Sequence, residues 1–347
     1  MDSRANVYYL ISRDFGSKWS APVRVNDRQQ RVVGHRGNDA QLAVRGQEIA
    51  AVWQSPGELP GSGAMSLAFS KDGGRHWSKS ARPKFRDPTQ TQSYFDMAVG
   101  LDGRFHLVWL DDREENGNTQ GLRYALSKDG GRRWLAVETI DGSVCTCCWN
   151  RLNVLKDGSL AVLYRDDDPH DMSLKVRPVG AMDWQVKATV GRFNWQFQGC
   201  PHCGGGLAEV GGLGKELHGV VWTGVQESPG IYHLRSEDRG RSWGEPYRLA
   251  DGHGREPDIA ALPDGTLGIV YSAPGANGGE IRLLSSVDGG RHWSEASRLS
   301  NAGHDADHPR ILQTRTGFRV FWTERDGGGP RMLVVAGSNL NVPRGSE

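Results

Sequence analysis

The chain has 347 residues, with 42 lysines and arginines against 41 aspartates and glutamates, so its net charge is close to zero. This balance excludes the strong positive field with which proteins bind nucleic acid or an acidic membrane surface, and no apolar run approaches the roughly 20 residues of a membrane span. The 47 glycines and 12 tryptophans suit a protein of many tight turns and interlocked sheets.

The N-terminus leads from Met1-Asp2-Ser3-Arg4 directly into an apolar stretch, Val7 to Ile11. The charged region, apolar core and cleavage site of a secretory leader are absent from this start. We therefore expect either a cytoplasmic protein or a mature protein from which a leader has been removed.

One pattern, Ser-x-Asp-x-Gly-x-x-Trp, occurs five times. Its copies span Ser12–Trp19, Ser70–Trp77, Ser127–Trp134, Ser236–Trp243 and Ser286–Trp293. Neighbouring copies lie roughly 50–58 residues apart, except for one double interval, and such a period indicates a repeat architecture. We place the missing, degenerate copy near Arg177 to Trp184. Asp can bind the backbone of a turn, Gly allows positive φ, and Trp packs between sheets, so we predict a structural role for these repeats.

A second repeat is a hairpin in which an apolar strand, a turn and a strand with an aromatic end follow one another. The turns are Gly46, Asp102-Gly103, Asp157-Gly158, Gly211-Gly212, Asp264-Gly265 and Thr316-Gly317, and the aromatic ends are Trp53, Trp109, Tyr164, Trp222, Tyr271 and Trp322. Asp-Gly between apolar runs is a strong hairpin signal. Six hairpins predict an all-β protein, a six-bladed β-propeller.

We expect residues 1–338 to form this single domain and residues 339–347 to form a flexible tail. The strand Val7 to Ile11, the repeat that follows it and the strand Pro22 to Val25 would close the ring against the C-terminal strands between Ile311 and Val335. Both Met332 to Ala336 and Val7 to Ile11 are predicted as the third strand of the same blade. The alternative to six blades is therefore a seventh blade or a partial blade.

The repeated Ser-x-Asp-x-Gly-x-x-Trp pattern resembles the Asp-box, or BNR repeat, of sialidase-like β-propellers. The resemblance implies that each box joins the third and fourth strands of a blade on one face, and that the ligand site lies on the opposite face. Proteins of this type are mostly periplasmic or secreted, which favours a removed leader over a cytoplasmic location.

Charged residues recur at matching positions before the hairpins. Seven residues before the hairpin glycine stand Asp39, Asp96, Arg151, Asp258 and Arg310, with a glycine near Gly205 in the fourth unit, and ten residues before it stand Arg36, Ser93, Cys148, Arg255 and Asp307. Titratable groups clustered in a cleft are the default functional site. Solvated ion pairs that line a wet channel are the alternative.

A sialidase requires three arginines that bind the substrate carboxylate, a carboxylate acid/base, and a tyrosine activated by a glutamate. Arg36, Arg255 and Arg310 are the candidate arginines, with Arg151 as a fourth, and Asp39, Asp96 or the Asp111-Asp112 pair are candidates for the acid/base. The family's Arg-Ile-Pro signature and its last-blade tyrosine are absent from the expected places. An exo-α-sialidase that acts on an acidic carbohydrate, or a protein that binds another small anionic ligand, is therefore the alternative function.

All five cysteines lie in two loops one repeat apart, Cys145-Thr146-Cys147-Cys148 and Cys200-Pro201-His202-Cys203. Their equal phase predicts one cluster between the third and fourth blades. Disulfides between blades would leave at least one thiol over. Zinc on Cys145, Cys148, Cys200 and Cys203, or copper with Cys147 and His202 added, is the second interpretation. A reactive thiol beside Arg151 is the third.

The two cysteine loops also resemble those of bacterial Asp-box proteins of unassigned role. This likeness, together with the incomplete sialidase motif, favours a protein that is not a competent sialidase. The cluster would then serve metal binding or ligand binding on a surface tied by disulfides.

Overall fold

A computed structural model of the chain describes residues 6–27, 32, 34, 37–57, 63–83, 91–112, 120–212, 215–315 and 317–338. These residues form 24 β-strands and no α-helix. An apolar helix long enough to cross a membrane is accordingly absent from this part of the chain. Both Arg36 and the predicted tail at 339–347 lie outside the described residues.

The strands form one small N-terminal sheet and then six larger antiparallel sheets in chain order. The N-terminal pair is β1 (Tyr8–Tyr9) and β2 (Val23–Arg24). The first three blades are β3 (Gln41–Arg45), β4 (Glu48–Gln54) and β5 (Met65–Ser70); β6 (Ser93–Val99), β7 (Phe105–Asp111), β8 (Gln120–Ser127) and β9 (Glu138–Val144); and β10 (Arg151–Val154), β11 (Leu160–Arg165), β12 (Met172–Arg177) and β13 (Val186–Val190).

The last three blades continue this order. They are β14 (Gly206–Val210), β15 (Glu216–Thr223), β16 (Gly230–Ser236) and β17 (Tyr247–Asp251); β18 (Arg255–Ala261), β19 (Leu267–Gly275), β20 (Gly278–Ser286) and β21 (Ser297–Arg298); and β22 (Asp305–Thr314), β23 (Gly317–Arg325) and β24 (Met332–Ser338). The predicted six-bladed β-propeller is confirmed.

The hydrophobic core lies between the blades, and the second strand of each blade contributes most to it. Both β7 and β11 are buried at every position. The six aromatic residues predicted at the ends of the second strands are all buried: Trp53, Trp109, Tyr164, Trp222, Tyr271 and Trp322. These buried rings therefore belong to the hydrophobic core at the end of each blade from which the loop to the next blade begins.

Four of the five Ser-x-Asp-x-Gly-x-x-Trp segments fold as a turn that follows the third strand of a blade, and the first segment, Ser12–Trp19, lies between β1 and β2. In the turn after β8, the Ser127 hydroxyl accepts the N–H of Gly131 at 3.0 Å and donates to Asp129 Oδ1 at 3.0 Å. Trp134 Nε1 donates to the Gly131 carbonyl at 3.0 Å. The φ of Gly131 is 85°, a conformation that a residue with a Cβ adopts at a cost.

The tryptophan of a turn packs against the preceding sheet. Trp77 meets Tyr9 edge-on at 5.7 Å between ring centroids, and Trp293 meets His233 at 5.0 Å. Trp184 meets Tyr124 of the second blade at 5.4 Å in the same way. Trp184 lies between β12 and β13, where we placed the degenerate copy of the repeat.

The N-terminal sheet fills the seam between the sixth and the first blade. Trp19 lies edge-on to Phe321 of β23 at 6.3 Å, and Arg319 Nε donates to the Phe15 carbonyl at 2.6 Å. On the other side, Tyr9 contacts Trp77. Within the described residues β1 pairs with β2, whereas β24 is the third strand of the sixth blade. Side chains of the N-terminal sheet thus contact the blades on both sides, and closure of the ring by the terminal strands stays a prediction.

The buried turn after β8 gives a test of the role of the repeat. Ser127→Ala leaves the buried N–H of Gly131 without its acceptor, and an unsatisfied buried donor costs about 1–3 kcal/mol. We expect the free energy of unfolding, measured by urea denaturation, to fall by this amount. The matched control is Ser12→Ala, because the seam turn is more exposed and water can replace the hydroxyl. Equal losses in the two variants would contradict a role that depends on burial.

Candidate functional site

The cysteine loops and the repeat turns lie at opposite ends of the sheets. In the second blade, β8 ends at Ser127 in its turn, whereas Val144 at the end of β9 pairs with Gln120 at the start of β8. Cys145 follows Val144 directly. The loop Cys145–Asn150 then leads to β10, and the loop before β14 carries Cys200 and Cys203 in the same way. We call the end of the propeller that carries these loops the loop face.

The loop face carries a repeated backbone feature that the sequence did not reveal. The residue nine positions before the hairpin glycine has positive φ in five of the six blades: Gly37 (73°), Tyr94 (52°), His202 (48°), Glu256 (56°) and His308 (57°). Strands β6, β18 and β22 have a register irregularity at this point. Non-glycine residues rarely adopt this conformation, and such strain and bulges are concentrated at functional sites.

Counting back nine residues, rather than seven or ten, is the signal that would have found this set. That count gives one glycine, one tryptophan and four side chains with polar chemistry. In two blades the residue that follows is proline, in Glu256-Pro257 and His308-Pro309. The positive φ accompanies the register irregularities of β6, β18 and β22, and a pattern of apolar residues does not predict it.

The predicted carboxylates Asp96 and Asp258 join the first strands of neighbouring blades. Asp96 Oδ2 accepts the N–H of Leu152 at 2.7 Å and Oδ1 accepts the N–H of Met97 at 2.9 Å. Asp258 Oδ2 accepts the N–H of Ile311 at 3.1 Å. Burial raises the pKa of Asp96, although the charge of Arg151 opposes this shift. These contacts give both carboxylates a structural role.

Two predicted arginines lie together with carboxylates at the centre of the loop face. Arg151 Nε is 3.8 Å from Asp258 Oδ1, and both Nε and Nη2 of Arg151 are buried without a hydrogen-bond partner among the described residues. Arg310 lies over the Trp149 ring at 5.4 Å. Burial and the charge of Arg151 lower the pKa of Arg310 to about 10, while Asp258 and Asp39 act in the opposite direction. Asp39 itself is exposed.

Arg255 has different surroundings. Its guanidinium lies 4.1 Å from the centre of the Trp222 ring and donates to the Gly254 carbonyl at 2.9 Å. The third member of the predicted arginine set, Arg36, lies outside the described residues. The structure therefore brings Arg151 and Arg310 near one set of carboxylates, and the convergence of Arg36, Arg255 and Arg310 stays a prediction.

Glu256 and His308, two of the residues with positive φ, contact each other. The Glu256 side chain is buried, and its Oε2 accepts the backbone N–H of His308 at 2.9 Å and the Ser272 hydroxyl at 3.1 Å. His308 Nε2 is 3.5 Å from Glu256 Oε1, and His308 Nδ1 is 2.9 Å from Asp307 Oδ1. Burial opposes protonation of His308, but the Asp307 hydrogen bond and the charge of Glu256 raise its pKa overall. This imidazole between two carboxylates can hold a proton.

The cysteines of the two loops come together as predicted from their phase. Cys145 Sγ is 3.4 Å from Cys148 Sγ and 3.8 Å from Cys147 Sγ. Two groups of potential metal ligands have all their donor atoms within 4.8 Å of one another: Cys145, Cys147 and Cys148, which we call the inner triad, and Cys147, Cys200 and His202, which we call the outer triad. The inner triad is buried, whereas Cys200 is exposed.

Cys203 belongs to neither triad. Its thiol is buried and lies 3.7 Å from the Gly204 carbonyl, to which it donates. The predicted zinc set paired Cys145 and Cys148 with Cys200 and Cys203. The structure instead groups Cys147 with Cys200 and His202, because the backbone turns the Cys203 side chain into the core.

The Cys148 thiol has a lowered pKa. Burial opposes ionisation of Cys148, but hydrogen bonds from Cys145 and Cys147 and the positive charge of Arg165 lower its pKa well below the usual value. Arg165 is itself buried, and it donates to the carbonyls of Cys203 at 2.9 Å and Trp222 at 2.8 Å. The thiol interpretation placed this cation at Arg151; Arg165 is the group that acts on Cys148.

The structure contains no disulfide among the five cysteines, in contrast to the first interpretation of the cluster. A disulfide requires about 2.05 Å between its sulfurs, whereas the closest thiols here are separated by 3.4 Å. All five cysteines lie within the described residues, and all five are free thiols. What remains of the predicted cluster is a set of thiol and imidazole donors.

No protein-family model and no curated protein matches the sequence. Solved structures do match the fold. A protein of unknown function from Dyadobacter fermentans is 15% identical at a TM-score of 0.57, over 86% of this chain and 93% of that chain. A Hadza microbial sialidase is 16% identical at a TM-score of 0.57, over 91% and 70%. An ulvan lyase of polysaccharide lyase family PL25 is 10% identical at a TM-score of 0.57, over 85% and 78%. Identities this low show a shared sialidase-like propeller fold alone.

The raised pKa of His308 predicts a pH dependence of stability. A histidine whose pKa is raised on folding stabilises the fold fully below its unfolded value of about 6.5, and this contribution is lost as the pH rises through the folded value. His308→Asn should therefore lower the melting temperature more at about pH 5.5 than at about pH 9. Asparagine is chosen because it tolerates positive φ. His253→Asn, at an exposed position, is the control; an equal effect of His308→Asn at both pH values would contradict the ion pairing.

Proposed function

We propose that this chain is an Asp-box propeller protein that binds a soft metal ion, Cu(I), at the thiol cluster, and that it is not a competent sialidase. The observation that carries the proposal is the presence of three buried thiols on one loop, with a fourth thiol and an imidazole from the next loop beside them. Thiolate and imidazole are the ligands that soft metal ions prefer.

The number of donors favours Cu(I) over Zn²⁺. Structural zinc sites hold four protein ligands, and catalytic ones hold three with a water in the fourth place. Each ligand group of this cluster offers three donors, and the inner triad is buried, which leaves poor access for a fourth ligand from solvent. Cu(I) is satisfied by two or three thiolates. Burial also protects a Cu(I)–thiolate site from oxidation.

The proposal is tested by titration of the reduced protein with Cu(I) and, separately, with Zn²⁺ under anaerobic conditions. Bicinchoninate, which competes for Cu(I), reports the affinity. We expect binding of Cu(I) that withstands the competitor in the wild type and is lost in the triple variant Cys145→Ser/Cys147→Ser/Cys148→Ser, which disrupts both groups of potential ligands. Cys203→Ser is the matched control, because this buried cysteine lies outside both triads. Failure of the wild type to bind Cu(I), or retention of binding by the triple variant, would refute the proposal.

Glycoside hydrolysis is the second candidate, and the centre of the loop face favours it. Arg151 presents buried guanidinium nitrogens without hydrogen-bond partners among the described residues, as a binding site for an anionic sugar would. Arg310 lies nearby, and Glu256 with His308 forms a pair that can donate and accept a proton. The solved structures of similar fold include a sialidase and an ulvan lyase, which are both carbohydrate-active by their descriptions.

A fluorogenic sialoside assay separates the two candidates. We expect no turnover by the wild type above the rate without protein, because the activated tyrosine of a sialidase is missing from the expected last-blade loop. Turnover that falls at least a hundredfold in both Arg310→Lys and Glu256→Gln, with melting temperatures close to that of the wild type, would instead establish the second function. Arg315→Lys serves as the control, since Arg315 lies in the turn directly after β22, away from the end of the strand that begins at the loop face.

A further inference from the structure

We infer that the thiol cluster holds two Cu(I) ions, one in each triad, bridged by the thiolate of Cys147. This inference rests on the proposed binding of Cu(I). Among the groups of potential metal ligands in the described residues, Cys147 is shared by the inner and the outer triad. A thiolate has more than one lone pair, so it can bind two metal ions at once.

A single ion cannot use all five donors. With bonds of about 2.3 Å, two ligands of one ion are at most about 4.6 Å apart. The donors of each triad lie within 4.8 Å of one another, but the five together do not form one such group. Two ions are therefore required if every donor of the two loops is to be bound.

The inner triad already has nearly the dimensions of a three-coordinate site. Three sulfurs around one ion with bonds of about 2.3 Å lie about 4.0 Å apart. The two separations from Cys145 are 3.4 Å to Cys148 and 3.8 Å to Cys147. Both separations are within about 1 Å of this value, so small movements of the sulfurs would admit an ion.

The balance of charge permits a second ion. Binding of both ions releases the protons of Cys145, Cys147, Cys148 and Cys200 to solvent, His202 binds as a neutral imidazole, and copper remains Cu(I) throughout. With one Cu(I) on the inner triad, Cys200 keeps its proton and three thiolates leave two negative charges. The second Cu(I) replaces the Cys200 proton, so the charge of the site stays the same. Buried charge is costly unless it is compensated. Arg165, whose positive charge acts on Cys148, compensates one of the two negative charges.

The two positions differ in their access to solvent. Cys145, Cys147 and Cys148 are buried, whereas Cys200 is exposed and lies with its sulfur 3.6 Å from the Thr146 hydroxyl at the rim of the cluster. An ion in the outer triad can therefore be reached by a thiol or chelator in solution. The inner ion is enclosed, so we expect a competing ligand to remove the outer ion first.

The experiment counts Cu(I) per chain during anaerobic titration of the full chain and measures copper X-ray absorption at saturation. We expect the wild type to bind two ions and to show copper–copper scattering at saturation. Cys200→Ser should bind one ion, with the affinity for the first ion unchanged. Cys147→Ser should lose the copper–copper scattering and bind its remaining copper at least tenfold more weakly. Cys203→Ser, the control in the same loop, should behave as the wild type.

The outcomes separate this inference from the proposed function. If the wild type binds no Cu(I), both fail. If it binds one ion and Cys200→Ser binds one with equal affinity, the inner site stands and the second ion is refuted. Two ions without copper–copper scattering would refute the bridge. This last measurement needs the wild type alone, so it stays decisive even if Cys147→Ser does not fold.

Discussion

The hydrogen bond between a side chain on one blade and the first strand of the next blade is the constraint on which the loop face depends. Asn38 Oδ1 accepts the N–H of Tyr94 at 2.8 Å, Asp96 accepts that of Leu152, and Asp258 accepts that of Ile311. These bonds fix the register of the first strands around the centre. Tyr94 and Glu256, which have positive φ, precede Asp96 and Asp258 by two positions, and His308 precedes Ile311 by three. The same bonds therefore also determine where Glu256 and His308 lie.

A carboxylate that holds a strand is poorly suited to acid/base catalysis. Both oxygens of Asp96 accept backbone N–H groups, so that protonation of Asp96 would break a contact between blades. Glu256 uses Oε2 for its hydrogen bonds to Ser272 and to the His308 backbone, and its Oε1 faces the His308 ring. If the centre of the loop face performs proton transfer, Glu256 and His308, nine residues before the hairpin glycine, are better suited to it than Asp96, seven residues before the glycine.

The period of the repeat predicted much of this structure, since period determines topology. It gave the hairpins, the six blades, the place of Trp184 and the meeting of the two cysteine loops. The position of a residue within a repeat does not determine the direction of its side chain. The predicted zinc set therefore included Cys203, which belongs to neither triad, and omitted Cys147. Phase also does not decide which of two segments at the same position in the repeat belongs to a given blade. The contacts of Trp19 with the sixth blade and of Tyr9 with the first blade place β1 in the N-terminal sheet, separate from β24.

A propeller suits a soft-metal site for a physical reason. In the proposed site, the donors of the outer triad come from two successive loops between blades. A packed core and backbone hydrogen bonds fix the separation of these loops, so little entropy would be lost when a metal orders the donors. The compensating cation is equally fixed: Arg165 is held by the carbonyls of Cys203 and Trp222 before any metal arrives. Disulfides are unnecessary for this rigidity, and they would consume the ligands. The free thiols at the loop face are thus consistent with a fold in which the blades supply the rigidity and the cysteines remain available for chemistry.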